Sequence, residues 1–266
     1  MAKANRYSQI IQDIFFLHYS EGDTVVYFAR EDIVSSAERL DIPLPKNLGD
    51  VVYSFRHRNP LPDAITDKAP SDQSWVIVGK GQAKYAFELK SISKIQPDTM
   101  LPVTKVPDAT PGIVSRYSLT DEQALLAKLR YNRLIDIFTS VTCYSIQNHL
   151  RTTVRSIGQI ETDEIYVGVD KRGAHFVLPV QAKAKSDQIG VAQIEQDLAL
   201  CDEKFPELVA RPIAAQFMDE GSIALFEFGR DTDGQVVKLA ERHYRLVPEH
   251  EMSAEDLKLY RNRRAD

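Results

Sequence analysis

Cysteine is scarce. The 266-residue chain has two, Cys143 and Cys201, and neither their spacing nor their neighbours form a disulfide framework or a thiolate metal site, so a reducing compartment is expected. Both cysteines read as lying in helical stretches. No apolar run approaches the roughly 18–20 residues that span a bilayer; the densest cluster, Ile10-Ile11 with Ile14-Phe15-Phe16-Leu17, has the length of a helix face. The start, Met1-Ala2-Lys3-Ala4-Asn5-Arg6, leads into Tyr-Ser-Gln rather than an apolar signal core. The expectation is therefore a cytoplasmic, prokaryotic-type intracellular protein without membrane contact. The six histidines show no HExxH or paired ligand spacing, which disfavours a zinc enzyme. Walker A and GxGxxG sequences are absent too, and with them the usual nucleotide-binding signals. Neither sign of charge dominates: 33 basic residues stand against 38 acidic ones, net −5, which argues against an indiscriminate nucleic-acid coat.

What is present is an ordinary globular composition, 43% hydrophobic and 27% charged, in a length that suits one large domain or two. Charge is unevenly spread. From Ala124 to Ser156, Lys128, Arg130, Arg133, Arg151 and Arg155 are opposed only by Asp136, while acids gather from Glu195 to Glu207 and Glu249 to Asp256.

The spacing of apolar residues predicts helices over Tyr7–Tyr19, Arg30–Leu40 and from Lys46 or Asn47 to His57, with a strand at 24–28 and a Pro43/Pro45 turn between the last two helices. Trp75–Val78 and Ala83–Leu89 read as strands joined by the Gly79-Lys80-Gly81 turn. This element order resembles a winged helix, in which the third helix enters the major groove and the hairpin tip lies on the backbone. The resemblance makes Lys46, Asn47, Arg56, His57 and Arg58 on the helix, and Lys80 and Lys84 at the tip, the DNA-binding candidates; the same module also serves protein interactions.

Residues 91–117, with Pro97, Pro102, Pro107 and Pro111, read as a linker or wrapping arm. The expected domains are 1–90, this arm, and 118–266. In the last, Thr120 is the expected cap of a helix reaching Phe138, and a short helix is expected across Cys143 to His149. Strands follow at 150–154, 159–169 and 175–183, then a helix at 189–204, strands at 213–217, 222–228 and 236–239, and a charged tail. The fold class is mixed α/β (α+β).

Chemistry concentrates in Gly158-Gln-Ile-Glu161-Thr-Asp163-Glu164 and Val177-Leu-Pro-Val-Gln181-Ala-Lys183. Alternate strand residues share a face, so Glu161 pairs with Asp163 and Gln181 with Lys183. Carboxylate and amide oxygens suit a hard divalent cation, and a lysine balances phosphate charge. Here the chain resembles the PD-(D/E)XK, restriction-endonuclease-like, nuclease superfamily. Asp163 matches the first acid, Lys183 the lysine, and Gln181 stands where the second acid usually stands, a Q-X-K variant similar to that of Mrr-type enzymes.

The resemblance implies a mixed sheet flanked by helices, catalytic roles for Asp163, Gln181, Lys183 and Glu161, and a Mg²⁺ (or Mn²⁺) ion held by Asp163, Gln181 and Glu161. Gln193, Asp197, and one of Glu122 or Asp136 are its further polar positions. It also implies a site-specific endonuclease of double-stranded DNA, a type II or modification-dependent restriction enzyme, working as a homodimer with a companion DNA methyltransferase encoded nearby. The alternatives are a repair or junction nuclease, a non-catalytic DNA-binding regulator on a degenerate scaffold, a protein-interaction module, or acids and lysine that merely form the polar face of a sheet. His149 reads as a structural or exposed histidine.

Overall fold

The computed structural model describes residues 6–57, 59–71, 73–91, 94–119, 121–185, 187 and 189–263. In chain order the elements are α1 (Arg6–His18), β1 (Val25–Ala29), α2 (Arg30–Arg39), α3 (Gly49–His57), α4 (Asp63–Thr66), β2 (Ser74–Gly79), β3 (Lys84–Lys90), β4 (Lys94–Ile95) and β5 (Val103–Pro107). Then come α5 (Gly112–Tyr117), α6 (Glu122–Tyr131), α7 (Leu134–Thr139), β6 (Thr142–Val154), β7 (Gly158–Val169), β8 (His175–Lys183), β9 (Ile189–Gly190) and α8 (Val191–Lys204). The chain ends with β10 (Val209–Ala210), β11 (Ile213–Phe217), β12 (Ser222–Arg230), β13 (Val236–Val247) and α9 (Ala254–Asn262). Two compact units result, one holding the chain up to Ile95 with Arg151–Ile160 and Gly190–Glu203, the other Gln96–Leu150, Glu161–Ile189 and the chain from Lys204.

In the first unit, α1 buries Ile10, Ile11, Ile14 and Phe15, and α3 buries Val51, Val52 and Phe55. These stripes close on the antiparallel sheet β1-β3-β2 through Phe28, Trp75, Ile77 and Phe87. Phe15 meets Trp75 and Phe87 edge-on, each at 5.1 Å between ring centroids, a favoured aromatic geometry. The alternate residues Val78 and Ala86 pack on Ala192 of α8, so both faces of this small sheet are covered. Lys90 joins the same two elements, 2.8 Å from Glu88 and 2.6 Å from Glu195. At the β2–β3 tip, a Cβ on Gly79 would stand 2.1 Å from the Ile157 carbonyl oxygen. Only glycine lets the tip lie this close to the 155–158 turn.

The second unit is a mixed sheet in the order β5-β13-β12-β11-β8-β7-β6, with β10 beside β8. Neighbours β7/β8, β11/β12 and β12/β13 are antiparallel, whereas β8/β11 and β13/β5 are parallel. Its core joins Leu125, Leu126 and Leu129 of α6 to Tyr166, Leu178, Val180, Ile213 and Leu225. The molecule is thus mixed α+β.

Four local expectations are corrected. Residues 143–149 are strand, not helix: Val141, Thr142, Tyr144 and Ile146 favour extended backbone, and a hairpin with β7 supplies the partner that a short helix lacks. The helix expected to reach Phe138 breaks at Arg133, which sits at φ 49°, while the Asn132 carboxamide accepts from Ala109 N at 2.7 Å and donates to Thr110 Oγ1 at 2.9 Å. Thr120 lies outside the described residues, and the α6 cap is Asp121, whose Oδ1 accepts from Ala124 N at 2.9 Å. The arm at 91–117 is structured in part: β5 adds an edge to the sheet, and Lys105 N donates to Tyr260 Oη of α9 at 2.9 Å.

Candidate active site

Strands β7 and β8 pair with Glu164 opposite Val180 and Tyr166 opposite Leu178. One step further, the alternation of side chains puts Asp163 and Gln181 on one face and Glu164 on the other. Asp163 Oδ2 accepts from the Ala182 amide at 2.8 Å. Gln181, 1% exposed, donates through Nε2 to the Glu161 carbonyl at 3.3 Å. Lys183 Nζ donates to Glu122 Oε1 at 2.7 Å. Glu122 is held at the start of α6 because the leucines that follow it are locked in the core. On the other side of β8, Gln216 of β11 stands beside Lys183 in the parallel register and donates to the Asp187 carbonyl at 2.7 Å, fixing the chain just after the lysine.

The electrostatics follow from this packing. Burial raises the Asp163 pKa above the ordinary carboxylate value; the Ala182 amide and the Lys183 charge pull it down by less, and Glu122 and Glu161 add to the rise. Burial alone would lower the Lys183 pKa, but the hydrogen bond and charge of Glu122, with Asp163 and Asp187, hold it raised. Lys183 is therefore an ammonium, suited to binding a phosphate or a water oxygen rather than to taking a proton.

The carboxylates of Asp163 and Glu122 and the carboxamide oxygen of Gln181 are hard oxygen ligands, and Glu122 and Glu161 both add to the rise of the Asp163 pKa, which fits a hard cation that keeps much of its water. Among the described residues, no group of three or more His, Cys, Asp or Glu side chains is placed so that it could hold a metal ion. The Glu161 carboxylate lies 3.3 Å from His149 Nε2, and His149 adopts φ 52°.

Of the other sequence candidates, Glu122 joins the site, whereas Asp136 accepts from Cys143 N at 2.9 Å and braces the start of β6. Gln193 and Asp197 belong to α8 in the first unit, not to the unit that holds Asp163. In that first unit Lys46 and Lys84 are exposed. Asn47 caps α3, its Oδ1 accepting from Gly49 N at 3.1 Å and its Nδ2 donating to Asp50 at 2.8 Å, and Lys80 pairs with Glu88. Arg56 is half-buried: its Nε and Nη2 are covered and without a hydrogen-bond partner among the described residues, and burial lowers its pKa. The His57 side chain and Arg58 lie outside the described residues.

One charged group was not anticipated. Glu164 is fully buried, its Oε1 3.0 Å from Arg130 Nε and 2.9 Å from Arg130 Nη2, with the Ser145 hydroxyl donating to the same oxygen. Strand alternation alone assigns Glu164 to the apolar side, opposite Asp163, and that was the available signal.

Set against known proteins, the chain matches no family model, no curated protein and no solved structure.

Proposed function

We propose that the chain is a divalent-metal-dependent DNA endonuclease of the restriction type, with a winged-helix-like module ahead of a PD-(D/E)XK-like nuclease unit. The observation that carries this reading is the convergence of Asp163, Gln181, Lys183 and Glu122 at adjoining strand ends, with the Asp163 carboxylate on the Ala182 amide. The succession in the second unit of the helices α6 and α7, the neighbouring strands β6, β7 and β8, and β11 parallel to β8 supports it. So does the β1-β3-β2 sheet behind three helices for the N-terminal module. In this reading Asp163, Gln181 and water hold Mg²⁺ or Mn²⁺, which supplies an activated water and charge neutralisation when bound. Lys183 holds a phosphate oxygen or the attacking water, and Glu122 keeps the ammonium charged and aimed. Gln181, lacking a charge, is the feature that favours the second reading, a DNA-binding regulator on a nuclease scaffold.

The test is cleavage of methylated and unmethylated plasmid and phage DNA with Mg²⁺, with EDTA, and with Asp163→Ala and Lys183→Ala. Discrete fragments that vanish with EDTA, and that fall by about 10²-fold or more in each variant, are expected. Metal-independent DNA binding without cleavage of any substrate would replace the nuclease with the regulator.

A further inference from the structure

Beside the break at Arg133, on the face of β7 that carries Glu164 and Tyr166, the second unit has a pocket of about 300 Å³. Its lining includes two guanidiniums, Arg130 and Arg133, and one carboxylate, Asp136; Glu164, which balances Arg130, is fully buried and is not part of that lining. Arg130 spends Nε and Nη2 on Glu164 and Asn148, and Arg133 spends Nη2 on Asp136. A guanidinium has more donors than these pairs use. Tyr166 adds another: it lines the pocket, is 3% exposed, and its Oη has no hydrogen-bond partner among the described residues. Burial, with the Glu164 charge, raises its pKa, so the hydroxyl keeps its proton. Arg133 itself is the telling residue. It sits at φ 49° and ψ 38°, the left-handed region that glycine enters without strain and an arginine does not. Its pair with Asp136 is an i,i+3 contact of a 57% exposed side chain, a kind that contributes little, and Asp136 is held in any case by the Cys143 amide. The fold therefore does not account for a guanidinium at this position.

We propose that this pocket binds the phosphate group of a small phosphomonoester between Arg130, Arg133 and the Tyr166 hydroxyl, with the organic part of the ligand against the ring of Tyr144. The groups with bonding capacity left over are donors, which selects an oxyanion. They come from three residues on different walls, and a tetrahedral phosphate offers acceptor oxygens in more directions than a flat carboxylate does. Planar guanidiniums suit its oxygens in pairs. Tyr144 lines the same pocket and is 60% exposed, a flat apolar surface on which a ring can stack. The proposal does not depend on the nuclease reading, whose residues lie on the other face of β7.

Titration calorimetry on the full, metal-free chain tests it, with inorganic phosphate, ribose 5-phosphate, AMP and adenosine as probes. The three phosphates are expected to bind, AMP most tightly, and adenosine not to bind. Arg133→Gly is the discriminating variant. Glycine relieves the left-handed backbone, so the variant is expected to melt no lower than wild type, yet to bind AMP more than about tenfold more weakly. Arg133→Gln provides the same loss of charge should the glycine variant unfold, and Tyr166→Phe removes the third donor. Asp163→Ala is expected to leave AMP binding unchanged, which keeps this pocket apart from the candidate active site. Absence of phosphate binding at tens of millimolar overturns the proposal. So does AMP binding no tighter than inorganic phosphate, AMP binding that survives both Arg133 variants, or AMP binding that is lost in Asp163→Ala.

Discussion

Removing Arg130 tests the strongest energetic statement the fold makes. Glu164 is 0% exposed, one of its oxygens has no hydrogen-bond partner among the described residues, and the other depends on Arg130 and Ser145. In Arg130→Ala the carboxylate stays where it is, without its counter-charge. Breaking a buried pair in this way costs about 3–5 kcal/mol; the lower end applies here, about 3 kcal/mol, because Arg130 is 40% exposed and the Ser145 bond survives. The reverse change, Glu164→Gln, leaves the arginine able to reach solvent and Asn148 Oδ1, 3.2 Å from its Nη2, and costs about 1 kcal/mol. The order of the two losses is therefore the sharp prediction. Calorimetry should show Arg130→Ala lowering the Tm by roughly 6–12 °C, Glu164→Gln by much less, and the double variant by less than the sum, with a coupling of about 1–2 kcal/mol. Trp75, the single tryptophan, reports on the first unit, so fluorescence beside far-UV circular dichroism separates loss of one unit from loss of both. An Arg130→Ala within about 0.5 kcal/mol of wild type, or a Glu164→Gln more damaging than Arg130→Ala, would refute the reasoning.

Three further outcomes are expected. Gly79→Ala forces a Cβ against the Ile157 carbonyl and should cost more than about 2 kcal/mol, whereas Gly173→Ala, at φ 81° in open space, should cost about 1 kcal/mol; thermal melts that rank them the other way contradict the packed hairpin tip. Burial would raise the Glu88 pKa, but Lys80 and Lys90 hold it lowered, so its contribution is present above the ordinary carboxylate pKa and is lost as pH falls through the lower folded value. Glu88→Gln should accordingly flatten the acid limb of the Tm against pH curve. Burial, with Asp136 nearby, pushes the Cys143 thiol up to about 11, and Cys201 is buried as well; thiol titration at neutral pH should count none in the native protein and both after denaturation.

Apart from the short α4, the elements of the first ninety residues were legible because each satisfies its own local rule. Ile10, Ile11, Ile14 and Phe15 repeat at helical spacing, Pro43 and Pro45 stop α2 from continuing, and Gly79 marks the turn. The failures share a different cause. Residues 143–149 mix Cys, Tyr and Ile with Ser, Gln and Asn, and their strand state is imposed by pairing with β7 at long range. The arm at 103–107 is a strand only because β13 runs beside it. In the site, strand alternation pairs Glu161 with Asp163 and Gln181 with Lys183, and the nuclease resemblance joins Asp163 to the second pair. Glu122 was one of two helix acids open to choice, and what separates it from Asp136 is the break at Arg133, which puts Asp136 on α7 beside Cys143. The partial burial of Arg56 was equally hidden: a basic residue on a helix reads as displayed, and the cover over its Nε and Nη2 comes from tertiary packing.

Under the nuclease reading, the exchange of an acid for Gln181 has a consequence in charge. A glutamine keeps a hard oxygen donor but brings no charge to a metal, and Glu122 already shares its charge with Lys183 at 2.7 Å. Asp163 accepts from a backbone amide rather than from a cation, with burial raising its pKa and the Lys183 charge near enough to lower it in part. A site of this kind attracts a divalent ion less than one with two free carboxylates does, and the missing charge has to come from elsewhere. The phosphate of bound DNA is the natural source. Metal affinity would thus rise on substrate binding, and by linkage DNA would bind more tightly with the metal present. The Lys183–Glu122 pair fits the same logic: the ammonium stays charged before substrate arrives and has a counter-ion that a phosphate can displace.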